Sequence, residues 1–211
     1  MTPTVVFDLD KVLLGGDAST LFLHGRLRKA PGRSVPLLLA MPLLAVLAAF
    51  PRLRPLGARI MTRIAVGGRS ESDVQVVAEA YGEALTRKPE AAVAEAIAAI
   101  TKHRLAGDTV VIATGCEETL ARGFLTAIGL GDLDVIGSRA MPPRHALGKS
   151  KVEMLSERGH PPPWAVVYSD SSSDLPLFAG TPRPVLVNAD EKAARQVERT
   201  LGRRPETVTW R

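Results

Sequence analysis

The sequence predicts an α/β protein, a parallel sheet with helices on both faces and a helical insertion near its start. Three observations lead there. Short apolar runs with strand character occur at 5–7, 109–113, 133–137, 164–169 and 184–187. Helical patterns separate the later ones, at 89–104, 117–128, 149–158, 173–179 and 190–201. Strands that alternate with helices imply right-handed crossovers and a sheet covered on both faces. Finally, three of the runs end in an acid or a hydroxyl, which suits the carboxyl edge where open α/β sheets carry their sites.

The first run, Val5-Val6-Phe7, ends in Asp8-Leu9-Asp10. Alternation along a strand points Asp8 and Asp10 the same way, so two carboxylates face one small volume. Such a pair is costly unless something uses it, and one use is a nucleophile beside a general acid/base with a divalent cation. The plain alternative is a strand end followed by an Asx-type turn. Three later stretches bear on the choice. Val110 to Ala113 is followed by Thr114-Gly115, and Gly148-Lys149-Ser150-Lys151 opens a helical pattern. Trp164 to Ser169 runs into Asp170, with Asp174 four residues on.

The order is therefore Asp-x-Asp, Thr, Lys, then Asp with a second Asp. In this the chain resembles the haloacid dehalogenase-like (HAD) phosphohydrolases over residues 1–15 and roughly 100–190. The resemblance implies that Asp8 attacks a phosphomonoester and that Asp10 protonates the leaving group and then activates water. It implies that Thr114, with neighbouring amides such as that of Gly115, holds phosphoryl oxygens. Asp170, the Asp8 carboxylate and the Asp10 carbonyl would ligate Mg²⁺, and Asp174 would support that metal site from the ligand or outer shell. The phosphate-binding lysine stays open. Relatives with Gly-x-x-Lys-Val carry the counterpart of Lys151, whereas phosphoserine phosphatases use that of Lys149. Lys11 stands where the family often has glycine, which alters the turn or favours an acidic substrate.

After Gly15-Gly16-Asp17 the pattern is helical to about Lys29, and Ala30-Pro31-Gly32-Arg33 breaks it. Residues 35–50 carry no charge and include two prolines. A membrane span needs about 20 apolar residues, so this stretch is short for one. It is apolar all round and has arginines on both sides, which leaves lipid contact or the buried centre of a helical domain. Further helices are expected at 55–66 and 71–87, with Pro89 starting the next. By resemblance, 17–88 is a helical cap inserted into a catalytic core of 1–16 and 89–211. Between Ala18 and Ser70 there are nine basic residues and no acid. Those nine charges exceed the chain's total of +5, so the positive field belongs to this segment.

Within the family the chain looks most like the phosphatidylglycerophosphatase C branch. The shared features are Tyr168-Ser169-Asp170-Ser171, Asp174, Pro176-Leu177, the stretch from Leu147-Gly148 to Lys151-Val152, and the proline-containing apolar segment. This implies a phosphorylated lipid headgroup met at an anionic membrane surface through 26–63. The alternatives are a soluble metabolite phosphatase of the phosphoserine type and a basic nucleic-acid-binding module. The arginines lack interleaved aromatics, which argues against nucleic acid as a partner. The lone Cys116 excludes an intramolecular disulfide and suits a cytoplasmic protein, and nothing before the first strand reads as a signal peptide. Asp132-Leu133-Asp134 precedes its strand and reads as surface loop. His24, His103, His145 and His160 lack metal-ligand spacing and read as solvated or helix-end. The tail after Gly202 reads as irregular and mobile.

Overall fold

The computed structural model describes residues 2–16, 91–139 and 144–210, with scattered positions between 39 and 86. The chain divides into two compact units, Met1–Ala18 with Ala78–Arg211, and Ser19–Val77. The expected helices over 17–29 and 55–66, and nearly all of the basic segment, lie outside the described residues.

The larger unit runs β1 (Thr4–Phe7), α1 (Ala94–Leu105), β2 (Thr109–Glu117), α2 (Glu118–Ala127), β3 (Asp134–Ser138), α3 (Lys149–Glu157) and β4 (Val166–Ser169). A 3₁₀ turn (Ser172–Asp174), α4 (Leu175–Ala179), β5 (Pro184–Val187), α5 (Glu191–Leu201) and β6 (Glu206–Val208) complete it. Among the described residues the six strands form one sheet in the order β3-β2-β1-β4-β5-β6, every pairing parallel. The predicted parallel α/β class is therefore the observed one, whereas most of the expected helical insertion lies outside the described residues.

Strand order reverses between β1 and β4, and in open parallel sheets the crevice beyond the carboxyl ends at that point is where ligands bind. Register puts Phe7 beside Tyr168, so Asp8 and, after Ser169, Asp170 leave neighbouring strands at the same edge. Val5, Val6 and Phe7 are wholly buried, as a central strand covered on both faces requires. On one face Val6 joins Val167, Leu186, Met154, Leu155, Phe178 and Trp164 in the main core. On the other, Phe7 stacks on Tyr168 at 4.3 Å between ring centres. Gly82 lies so close to α2 that a β-carbon there would sit 2.6 Å from Leu120 O and Phe124 N.

Three expectations change. The helix expected from Pro89 begins at Ala94, because 91–93 are extended and pair with 13–15. Gly15 N donates to Ala91 O and Val93 N to Leu13 O, each within 3.0 Å. Pairing with the first strand's exit outweighs the local helical pattern at 91–93. The strand expected to stop at Ala113 continues to Glu117. The tail is ordered: β6 pairs with β5, and Arg203 donates to Thr181 O and Pro182 O. Trp210 stacks on Tyr168 at 5.5 Å. A three-residue edge strand, Glu-Thr-Val, is too short and too polar to show a period. Among the described residues no helix is long and apolar enough to cross a membrane.

Candidate active site

Asp8 is the first residue beyond β1, and its N–H donates to Tyr168 O at 2.8 Å, continuing the ladder by one bond. Its carboxylate is buried. Leu9 N donates to Asp8 Oδ1 at 2.9 Å, and Lys151 Nζ donates to the same oxygen at 3.3 Å. Lys151 is itself buried and gives a shorter bond, 3.0 Å, to Asp174 Oδ2. Ser169 Oγ donates to that oxygen at 2.7 Å, and Ser171 N donates to Ser169 Oγ at 3.2 Å. Asp174 is thus the anchor that fixes Lys151 beneath Asp8.

Lys149 and Lys151 part company. Two residues along a helix turn the side chain by about 200°, so one faces in and the other out. Lys151 shares the buried face of α3 with Met154 and Leu155, whereas Lys149 is exposed. The spacing of Lys151 to Met154 and Leu155, three and four residues, carried that signal in the sequence.

Thr114 and Gly115 lie where the ladder between β2 and β3 is interrupted. Ala113 faces Ile136 and Glu117 faces Ser138, so β2 spends two more residues than β3 over that span. Bulges re-aim side chains beside sites. Thr114 is buried, and its Oγ1 accepts from Cys116 N at 3.0 Å. Ser138 Oγ donates to Gly115 O at 2.7 Å and accepts from Ala146 N, pinning the bulge to the segment before α3.

Beyond Asp8 the chain turns tightly, with Leu13 N and Leu14 N both donating to Leu9 O at 2.9 Å. Lys11 sits at φ 57°, the left-handed region that glycine holds freely. The turn thus holds a lysine in a conformation that suits glycine. Its ammonium lies 3.4 Å from Asp170 Oδ2.

Burial pushes Asp8 up to about 8, with Lys151 opposing and Asp174, Asp10 and Asp170 adding to the rise. Burial by itself would lower the Lys151 ammonium, but Asp174 and Asp8 override it and hold the group firmly charged. Burial likewise raises Asp170, against the pull of Lys11. One buried ammonium serves two buried carboxylates, and two more acids stand close enough to repel Asp8. The pocket therefore carries surplus negative charge.

The sequence-expected Asp8, Asp10, Lys151, Asp170 and Asp174 converge at this edge. Ser169 and the Lys11–Asp170 pair were missed; a hydroxyl just before a strand-end acid was the available signal for Ser169. Two histidines have partners of their own: His103 bridges Asp108 (2.8 Å) and Tyr168 OH (3.1 Å), and His160 meets Asp134 at 2.9 Å, whereas His24 lies outside the described residues. His103 is helix-end as expected, but both rings are largely covered by protein.

A family model of haloacid dehalogenase-like hydrolases matches residues 5–179, which spans this entire constellation. The chain belongs to that family. Among solved structures, a Bordetella pertussis protein of unknown function superposes with TM-score 0.70 at 20% identity, covering 99% of both chains. A phosphoserine phosphohydrolase-like protein from Francisella tularensis gives 0.58 at 12% identity, covering 98% of this chain and 94% of its own. A phosphoserine phosphatase solved as a phospho-aspartyl intermediate analogue gives 0.58 at 13%, covering 92% and 90%. These likenesses speak for the fold. No curated protein matches the chain.

Members of this HAD hydrolase family generally use Mg²⁺, and the donors at this edge suit that ion. Among the described residues no three His, Cys, Asp or Glu side chains are disposed as a ready metal cage. Mg²⁺ does not need one, since it binds through one or two carboxylates and keeps several waters for substrate oxygens to replace. Asp8 and Asp170, carboxylates at the ends of adjacent strands with surplus negative charge between them, fit that pattern. Asp174 Oδ2 is already taken by Lys151 and Ser169.

Proposed function

We propose that the chain is a Mg²⁺-dependent phosphomonoester hydrolase working through an aspartyl-phosphate on Asp8. The observation that carries this reading is the Asp8 carboxylate, buried at the strand-order switch with Lys151 fixed against Oδ1. Both bonds to that carboxylate fall on Oδ1, which points to Oδ2 as the attacking oxygen.

In the first step a new Asp8 O–P bond forms as the ester P–O bond breaks, and Asp10 gives its proton to the departing alkoxide. In the second, Asp10 takes a proton from a water that attacks phosphorus, releasing phosphate and the Asp8 carboxylate. Lys151, the Thr114 hydroxyl and the Gly115 amide hold the phosphoryl oxygens, so charge that develops there meets donors already in place. Lys149 has no part in this. Asp174 and Ser169 keep Lys151 aimed. The Asp8 and Asp170 carboxylates with the Asp10 carbonyl would hold Mg²⁺, whose chemistry is charge neutralisation and Lewis-acid activation of the phosphoryl group.

The substrate we favour is a phosphorylated lipid headgroup such as phosphatidylglycerophosphate. It would be met at the inner face of the membrane by a helical cap over 17–88. Support comes from the acid-free basic segment between Ala18 and Ser70, and from Leu39 and Leu43, exposed and one helical turn apart. Soluble phosphomonoesters are the second reading, favoured by the phosphoserine-related names of two structural neighbours. A phosphate-release screen with Mg²⁺ over both classes, with Asp8→Asn as the blank, separates them. Turnover of phosphatidylglycerophosphate in micelles with binding to anionic vesicles supports the lipid reading. Ready turnover of phosphoserine-like esters, with neither of those, replaces it.

A further inference from the structure

Lys11 lies within reach of Asp170, and the chemistry above has no use for its charge. Its backbone adopts φ 57°, which a β-carbon makes costly. The surroundings hold it there: Lys11 N donates to Gly16 O at 3.1 Å, and Asn188 Nδ2 donates to Lys11 O at 3.3 Å. Asn188 is tied in turn to the C-terminal segment, its Oδ1 accepting from Trp210 N at 2.8 Å. The turn is braced from two directions, and it aims the side chain at Asp170. The Asp170 side chain is 15% exposed and that of Lys11 60%, so the stem lies in solvent while the ammonium reaches the acid.

We propose that the Lys11 ammonium and a divalent cation are alternative partners of the Asp170 carboxylate, so that Lys11 sets how weakly the site holds its metal. This rests on the reading of Asp170 as a metal ligand. An ammonium 3.4 Å from Oδ2 and a divalent ion bonded to the same carboxylate at about 2 Å would be strongly repelling neighbours. Metal entry therefore breaks the ion pair and swings Lys11 outward on its flexible stem. A glycine at this position would leave Asp170 without this competing ion pair. Lys11 is a positioning residue of the metal site, acting through Asp170.

The test is Mn²⁺ binding, followed by the electron paramagnetic resonance of free Mn²⁺ at fixed ionic strength. The chains compared are the wild type, Lys11→Gln, Lys11→Gly, Lys11→Arg, Asp170→Asn and Lys11→Gln/Asp170→Asn. Removing an ion pair of this exposure should tighten Mn²⁺ about three- to fivefold in Lys11→Gln. Lys11→Gly, which suits the positive φ and guards against a folding artefact, should tighten it likewise. Lys11→Arg keeps the charge and should stay within about twofold of the wild type. The double variant should bind no better than Asp170→Asn. Unchanged or weaker binding by both Lys11→Gln and Lys11→Gly overturns the proposal, as does tightening that persists without Asp170. No Mn²⁺ binding by the wild type overturns the metal reading as well.

Discussion

The tripeptide Asp-Leu-Asp occurs at 8–10 and again at 132–134, and the two copies have opposite fates. Both leucines are buried. The first copy follows β1, at the carboxyl edge of the sheet, and the second leads into β3, at the amino edge. Asp8 is buried against Lys151, with Asp10, Asp170 and Asp174 close enough to raise its pKa. Asp132 pairs on the surface with Arg104, and Asp134 with His160. Residue type and spacing are identical, so the strand end alone decides. At the carboxyl edge the chain brings in acids from two neighbouring strands and a lysine from a helix start. At the amino edge each acid is itself exposed and meets one partner, Arg104 or His160.

That contrast can be broken by substitution. The largest effect belongs to Asp8→Asn, which removes the proposed nucleophile and should cut phosphate release by about 10³-fold or more. Asp132→Asn and Asp134→Asn should stay within about twofold, having no contact with the reaction. Equal losses at the two copies would erase the distinction. Lys151→Met comes next, because it strands two buried carboxylates. Urea unfolding should show a loss of about 3–5 kcal/mol, whereas Lys149→Met stays within about 0.5 kcal/mol. Ser169→Ala takes one donor from the buried Asp174 carboxylate and should cost about 1.5–3 kcal/mol in the same assay. Asp132→Asn breaks only an exposed pair and should cost no more than about 1 kcal/mol.

Much of this edge was legible beforehand because the sheet's carboxyl ends are marked by a change from apolar run to acid or hydroxyl. Asp8, Thr114 and Asp170 all announce themselves in that way. The inward lysine was legible in principle, since Lys151 keeps helical step with Met154 and Leu155 while Lys149 does not. What escaped depends on partners far away in sequence. The segment 91–93 is extended because residues 13–15 pair with it, and no local pattern encodes that. The strand Glu206–Val208 exists because β5 offers an open edge, with Arg203 and Trp210 tying down its flanks. The lysine at 11 could be recognised as standing in glycine's place, but its reach to Asp170 appears only once β1 and β4 are neighbours.

The central claim is that Asp8 carries the phosphoryl group during turnover. Acid quenching of the enzyme in steady state, followed by peptide mapping with mass spectrometry, reads this directly. The account predicts one phosphoryl group on the peptide that contains Asp8, present in Asp132→Asn and absent in Asp8→Asn. An unmodified Asp8 peptide during steady turnover, together with undiminished phosphate release by Asp8→Asn, would contradict it.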